Sequence, residues 1–165
     1  MMEKEALTDL IMEHLEAIGI PCELEDIAGK EAIVAEYTGE NSELPEDCSI
    51  TVENLTEDST EINILVTVFS GLDEVPTVNV ARVVGELNKF LQIGSFSVID
   101  DGALFLNYCF VVDEEMGVNN MLAAFLASLD AVSAAAIDAK QQLQPLIKGE
   151  TTVEQLLEEG LYVEQ

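Results

Sequence analysis

Basic residues are scarce in this sequence. Its 165 residues contain 6 Lys and Arg against 33 Asp and Glu, which gives a formal net charge of −27. Proteins that bind nucleic acids place Lys and Arg on the phosphates, and anionic membrane surfaces attract the same residues. The sequence therefore predicts that neither nucleic acid nor membrane is a partner. It favours a basic or amphipathic protein segment, because an acidic surface attracts cationic partners.

Residues that commonly carry catalysis or bind metals are also few. The chain has one histidine, His14, and three cysteines, Cys22, Cys48 and Cys109, which form no Cys-x-x-Cys pair. The sequence has no nucleophile motif and no glycine-rich phosphate loop, and its carboxylates lack the spacing of a calcium loop. Aromatic residues make up 5% of the chain, so surfaces for stacking bases or sugars are in short supply. We predict a protein that is not an enzyme and needs no metal or cofactor.

Long apolar runs and a secretion signal are missing as well. The N-terminal segment has no basic region followed by an apolar one, as a standard signal peptide would have. The most apolar stretch, 116–129, is interrupted by Asn119 and Asn120 and is shorter than the roughly 18 residues of a membrane-spanning helix. An odd set of unpaired cysteines is typical of a reducing compartment. These features predict a cytoplasmic protein.

Apolar residues, in contrast, are plentiful. Hydrophobic residues make up 48% of the chain and its mean hydropathy is +0.24. Disorder requires high charge together with low hydrophobicity, so the acidity does not predict an unfolded chain. A chain of this length forms one domain by default. We therefore expect a single folded domain over residues 1–165.

The periodicity of the apolar residues predicts an α+β fold. Steps of three and four residues indicate helices at 3–18, 77–91, 116–142 and, as a short capping helix with a capping box at Thr151 and Glu154, about 151–160. Alternation and turn residues indicate strands at 23–27, 31–37, 48–55, 62–69, 95–99 and 103–112. The order of elements is a helix, three or four strands, a helix, a hairpin and two helices. Short hairpin connections favour antiparallel pairing, so we expect an antiparallel sheet of about five strands with flanking helices.

The strand at 62–69 has the clearest pattern. Ile62, Ile64, Val66 and Val68 alternate with residues that are themselves fairly apolar. A strand with two apolar faces is expected to be central in its sheet or covered on both sides.

The segment from Val80 to about Gln142 resembles a known family. It contains a valine-rich helix ending in ELNKFL, a short strand, the turn Asp100-Asp101-Gly102, a second strand and a long alanine-rich helix. This order is similar to the YbjN-like family, and Asn88 and the turn are the positions most like its pattern. The family is described as candidate bacterial sensory transduction regulators and shares the type III secretion chaperone-like fold. The resemblance implies that fold, with its order α-β-β-β-α-β-β-α, for nearly the whole chain, with the short C-terminal helix as an addition.

The resemblance also implies a small homodimer. In the secretion chaperones of this fold, the helix between the two groups of strands often forms the dimer contact. In this sequence that contact would use Val80, Val83, Val84 and Leu87. Packing of the same side chains against the sheet is the alternative, and the pattern does not decide between the two.

Our leading hypothesis is a chaperone-like protein that binds a segment of a partner protein. The binding surface is expected along the sheet or the first helix, where the candidate contacts are Leu7, Leu10, Ile11 and Leu15. Burial in the core is the other outcome for such an apolar stripe. The alternative function is a signalling or stress-regulatory domain without chaperone activity, including an acidic mimic of nucleic acid. An enzyme is the third hypothesis, and a deep pocket with convergent carboxylates or a bound metal would support it.

Overall fold

The computed structural model describes residues 4–37, 46–69, 77–98 and 103–161. These residues form α1 (Lys4–Ala17), β1 (Cys22–Ile27), β2 (Lys30–Tyr37), β3 (Glu46–Asn54), β4 (Ser59–Phe69), α2 (Thr77–Leu87), β5 (Ser95–Val98), β6 (Leu104–Asp113), a 3-10 turn (Glu114–Met116), α3 (Val118–Ile147) and α4 (Val153–Glu159). The α+β class is confirmed. The turn Asp100-Asp101-Gly102 lies outside the described residues.

The strands form one antiparallel sheet in the order β1-β2-β3-β4-β6-β5. The first four strands are joined in sequence order, and α2 separates them from the last two. Strand β4 pairs with β3 on one side and β6 on the other, so the prediction that this strand is central is confirmed. The described sheet has six strands where about five were expected, and the additional strand is the short, acidic segment 22–27, a weak strand prediction that the structure confirms as an edge strand paired with β2.

One face of the sheet, the inner face, is covered by helices. Ile62, Ile64, Val66 and Val68 of β4 point to this side and are buried. The helices pack on this side at several strands: α1 on β1 and β3, α2 on β5, and α3 on β4 and β6. The hydrophobic core therefore lies between the helices and the inner face. We call the opposite side of the sheet the outer face.

Helix α3 is the longest element and differs from the prediction in its bounds. It runs for 30 residues and continues past Pro145, which lies in its last turn, where a missing N–H removes a single hydrogen bond. Among the described residues it is the one helix long and apolar enough to cross a membrane by length and composition. A core helix passes the same test, and Phe125, Leu129 and Val132 of α3 are buried in the core.

Two local structures hold the last elements in place. The capping box of α4 is formed by Thr152 and Gln155, one residue later than predicted. Asn88 follows α2 and bridges to strand β5 at one edge of the sheet. Its Nδ2 donates to the Phe96 carbonyl oxygen at 3.0 Å, and its Oδ1 accepts from the Phe96 N–H at 2.7 Å. Asn88, which carries part of the family resemblance, therefore has a structural role.

Candidate functional site: the outer face of the sheet

The candidate partner-binding residues of α1 lie mostly in the core. Leu7, Ile11 and Leu15 are buried against the sheet. Leu10 is half-buried at the border of the core. Their spacing of four residues places the three buried side chains on one stripe of the helix. Within one chain these residues stabilise the fold, and a contact with a partner would require them to leave the core. Their role in binding stays a prediction.

The candidate dimer residues of α2 are placed in the same way. Val80, Val83, Val84 and Leu87 are all buried within the chain, in the cluster that also holds Phe96 of β5. The sequence left open whether these side chains pack against the sheet or against a second copy of the chain. Within one chain they are already buried, so a second copy is not needed to remove them from solvent. A dimer contact through them stays a prediction.

The outer face offers the accessible surface that α1 does not. Val34, Ser49, Leu65 and Asn107 form one row across β2, β3, β4 and β6, and each is half-buried. Phe105, two residues before Asn107 on β6, adds an aromatic side chain to this centre. Among the described residues the helices pack on the inner face, so the described neighbours of these side chains belong to the sheet. Within the described part of the chain, the centre of the outer face is therefore a partly apolar and partly exposed surface.

Carboxylates surround this centre on three sides. Glu36 and Asp47 lie directly opposite each other at one end of β2 and β3, and Glu53 and Glu61 lie opposite each other at the other end of β3 and β4. Along the β1 edge the same face carries Glu23 and Glu25. We call these six residues the acidic rim. The rim is open toward β5, whose outer-face residues are serines.

The rim contains two pairs of like charges that face each other. Carboxylates directly opposite on neighbouring strands repel, and this repulsion destabilises the sheet. Lys30 forms an exposed ion pair with Glu53 and so offsets part of this repulsion at one end. The sequence contains no Lys or Arg between residues 31 and 81. The basic residue nearest in sequence to the pair Glu36 and Asp47 is therefore Lys30, which lies at the opposite end of β2 and pairs with Glu53.

The ionisation of the rim follows from these contacts. The hydrogen bond to Lys30 and its positive charge lower the pKa of Glu53, and the same contact raises the pKa of Lys30. On β6 the exposed thiol of Cys109 lies beside the rim, and its pKa is raised by partial burial and by its hydrogen bond to Glu61. A raised pKa keeps this thiol protonated at neutral pH and unreactive as a nucleophile. The cysteine next to the rim is thus uncharged at neutral pH.

Two amide groups at the centre of the outer face are incompletely satisfied. The Oδ1 atoms of Asn63 and Asn107, on the adjacent strands β4 and β6, are buried and have no hydrogen-bond partner among the described residues. A buried acceptor without a donor costs roughly 1–3 kcal/mol. These two oxygens are the buried side-chain acceptors of the outer face that have no donor among the described residues.

The described residues also form a groove beside α3. It has a volume of about 330 Å³ and is lined by apolar residues of the α1–β1 connection and of α3, together with the carboxylate of Asp130. No group of three or more potential metal ligands occurs within the described ranges, and His14 is half-buried on α1.

The outer face could be predicted only in part from the sequence. The second apolar face of 62–69, which includes Leu65, was the signal for it. Alternation shows which residues share a face, but it does not show whether another element covers them. The acidic rim joins residues from four strands, so its assembly depends on the pairing register.

The chain matches no family model and no curated protein. Its fold is similar to that of an uncharacterized protein from Methanothermobacter thermautotrophicus, with 15% identity, a TM-score of 0.47, and coverage of 87% of this chain and 98% of that one. It is also similar to YbjN from E. coli, described as a suggested transcription regulator, with 12% identity, a TM-score of 0.38, and coverage of 77% of this chain and 82% of that one. The similarity to YbjN is the one that the sequence resemblance predicted, at the level of the fold.

Proposed function

We propose that this chain is a non-enzymatic, chaperone-like binding domain that holds a cationic, partly apolar segment of a partner protein. The observation that carries this proposal is the outer face, where a partly apolar centre that no described helix covers is bordered on three sides by the acidic rim. The segment would bury its apolar side chains on Leu65, Phe105 and Val34. Its Lys or Arg side chains would reach the carboxylates around them.

The two parts of this surface contribute differently to binding. Apolar contact supplies affinity, at about 25 cal/mol for each Å² of apolar surface removed from water. The acidic rim is solvent-exposed, so its charges mainly accelerate encounter and select cationic partners. Binding is therefore expected to weaken as salt is added without being lost completely. A purely electrostatic contact would lose most of its affinity.

Charge reversal at one end of the rim tests the proposal. The double variant Glu36→Lys, Asp47→Lys keeps two like charges facing each other, so its stability is expected to stay close to that of the unmodified chain. Its affinity for a fluorescently labelled Lys- and Leu-rich peptide is expected to fall about tenfold at low salt, which corresponds to about 1.4 kcal/mol. Fluorescence anisotropy measures the affinity.

A matched control separates the rim from the overall charge. The double variant Glu158→Lys, Glu159→Lys changes the net charge by the same amount at exposed positions of α4, away from the sheet. It is expected to retain most of the affinity, and a Glu-rich peptide of equal length is expected not to bind. Equal losses in the two double variants, or binding of the Glu-rich peptide, would show that the rim does not select the partner.

The homodimer is part of the same proposal. If two chains associate, their strong negative charges repel, so association is expected to strengthen as salt screens the repulsion. Sedimentation velocity at low and high salt measures the mass directly. A monomer at both salt concentrations, at protein concentrations up to about 100 μM, a range in which weak association is detectable, would contradict the homodimer and leave the binding face in place.

A further inference from the structure

We propose that the segment held on the outer face is an amphipathic α-helix of about ten residues, with an apolar stripe that has Lys or Arg on both sides. This inference rests on the function proposed above and specifies the conformation of the partner. It follows from the pairing of the strands, from the distance between the two ends of the acidic rim and from the width of the apolar centre.

The pairing of the strands favours a helix over an extended segment. Strands β2, β3, β4 and β6, which form the centre of the outer face, each pair with a neighbour on both sides. Their backbone N–H and C=O groups are therefore engaged within the sheet. A segment lying on this face must satisfy its own backbone groups, because an unpaired group that is removed from water is costly. A helix does so within itself.

The spacing of the rim fits the width of a helix. Asp47 and Glu53 lie on the outer face at opposite ends of β3, six residues apart. At about 3.3 Å per residue this separates the two ends of the rim by about 20 Å. A helix with its side chains is about 10–12 Å wide, so about 4–5 Å remain on each side. The extended side chain of a Lys or Arg spans that gap to a carboxylate at either end.

The breadth of the apolar centre sets the length of the helix. Val34 on β2 and Phe105 on β6 are the apolar side chains at the two ends of this centre, with Leu65 between them, and their strands are separated by three strand spacings. At about 4.8 Å per spacing the row extends for about 14 Å, which corresponds to about ten helical residues at 1.5 Å each. A helix that lies across the strands places its apolar stripe on this row and its two flanks toward the two ends of the rim.

The charge of the face selects the partner and disfavours a second copy. The rim is acidic at both ends, and the pair Glu36 and Asp47 has no Lys or Arg nearby in sequence. A second copy of the chain would bring another net charge of −27 to this surface. A partner helix with cations on both flanks would instead relieve the repulsion within the two facing pairs.

Two peptides of identical composition test the inference. Each contains the same Lys, Leu and Ala residues: in one, leucines recur at helical spacing between two flanks of lysines, and in the other, leucines and lysines alternate as in a strand. Both are labelled and titrated with the full chain by fluorescence anisotropy. Circular dichroism of the mixture, after subtraction of the separate components, reports helix formation on binding.

Two variants place the binding on the outer face. Leu65→Glu introduces a charge at the centre of the face, and Phe90→Glu introduces the same charge at a side chain that is 48% exposed beyond α2. Thermal unfolding establishes that each variant is folded. If Leu65→Glu does not fold, Val111→Glu replaces it, since Val111 is 50% exposed on the same face.

The expected result is at least about tenfold tighter binding of the helical-pattern peptide, a gain of helix signal, loss of binding in Leu65→Glu and retention in Phe90→Glu. Equal binding of the two peptides, or a preference for the alternating one, would overturn the helix and leave the proposed function in place. Absence of binding by both peptides would overturn the proposed function and the helix together. Retention of binding in Leu65→Glu would place the site elsewhere and overturn the inference.

Discussion

Changing Leu7 to alanine is expected to lower the free energy of unfolding by about 2–5 kcal/mol, whereas the same change at Leu10 lowers it by about 1 kcal/mol or less. The reason is burial. Leu7 is 1% exposed and lies in the core with Ile11 and Leu15, so its truncation leaves a cavity. Leu10 is half-buried, and solvent can fill the space that its side chain leaves. Urea unfolding followed by circular dichroism measures both variants.

This pair of variants also separates a core role of α1 from a binding role. Leu7→Met, which nearly conserves volume, is the control and is expected to cost less than about 1.5 kcal/mol. A domain of this size has a total stability of about 5–15 kcal/mol, so Leu7→Ala removes a large share of it. Leu7→Ala could instead retain full stability and lose only the affinity for a cationic peptide. That result would identify α1 as a binding surface and would contradict the core role of Leu7.

Elements whose pattern has one physical cause could be predicted from the sequence. Strand β4 alternates because one side of it is in the core, and α1 repeats its leucines because one stripe of it is buried. Strand β1 was a weaker prediction, because its residues are acidic and mostly exposed, and only pairing with β2 identifies it as a strand. A sequence pattern shows the periodicity of one segment. It does not show which other segments pack or pair with that segment in the fold.

The function of an apolar stripe was harder to predict than its existence. The stripe of α2 has the same spacing whether it packs on the sheet or on a second copy, and the structure buries it within the chain. The candidate binding face is formed by residues far apart in sequence, such as Val34 and Phe105, and its position depends on the register of four strands. No single segment contains that information.

Changing Asn88 to alanine is expected to lower the free energy of unfolding by about 1–3 kcal/mol. The Asn88 side chain donates to the carbonyl oxygen of Phe96 and accepts from its N–H, so the variant loses two hydrogen bonds, each contributing about 0.5–1.5 kcal/mol. Strand β5 is an edge strand that pairs only with β6. The Asn88 side chain therefore makes the two hydrogen bonds with the backbone of Phe96 that a neighbouring strand would make. Urea unfolding measures the loss, and hydrogen exchange at the Phe96 amide locates it.

The appropriate control is an asparagine whose side chain makes a single, solvent-exposed hydrogen bond. Asn120 donates from Nδ2 to the carbonyl oxygen of Met116 at 2.9 Å, and Asn120→Ala is expected to change stability by no more than about 0.5 kcal/mol. The two variants remove the same chemical group, so their difference isolates the bridge to β5. An exposed strand edge also invites pairing with other chains, and Asn88→Ala is therefore expected to increase self-association. Equal stability in the two variants, with unchanged exchange at Phe96, would show that β6 alone holds the edge strand.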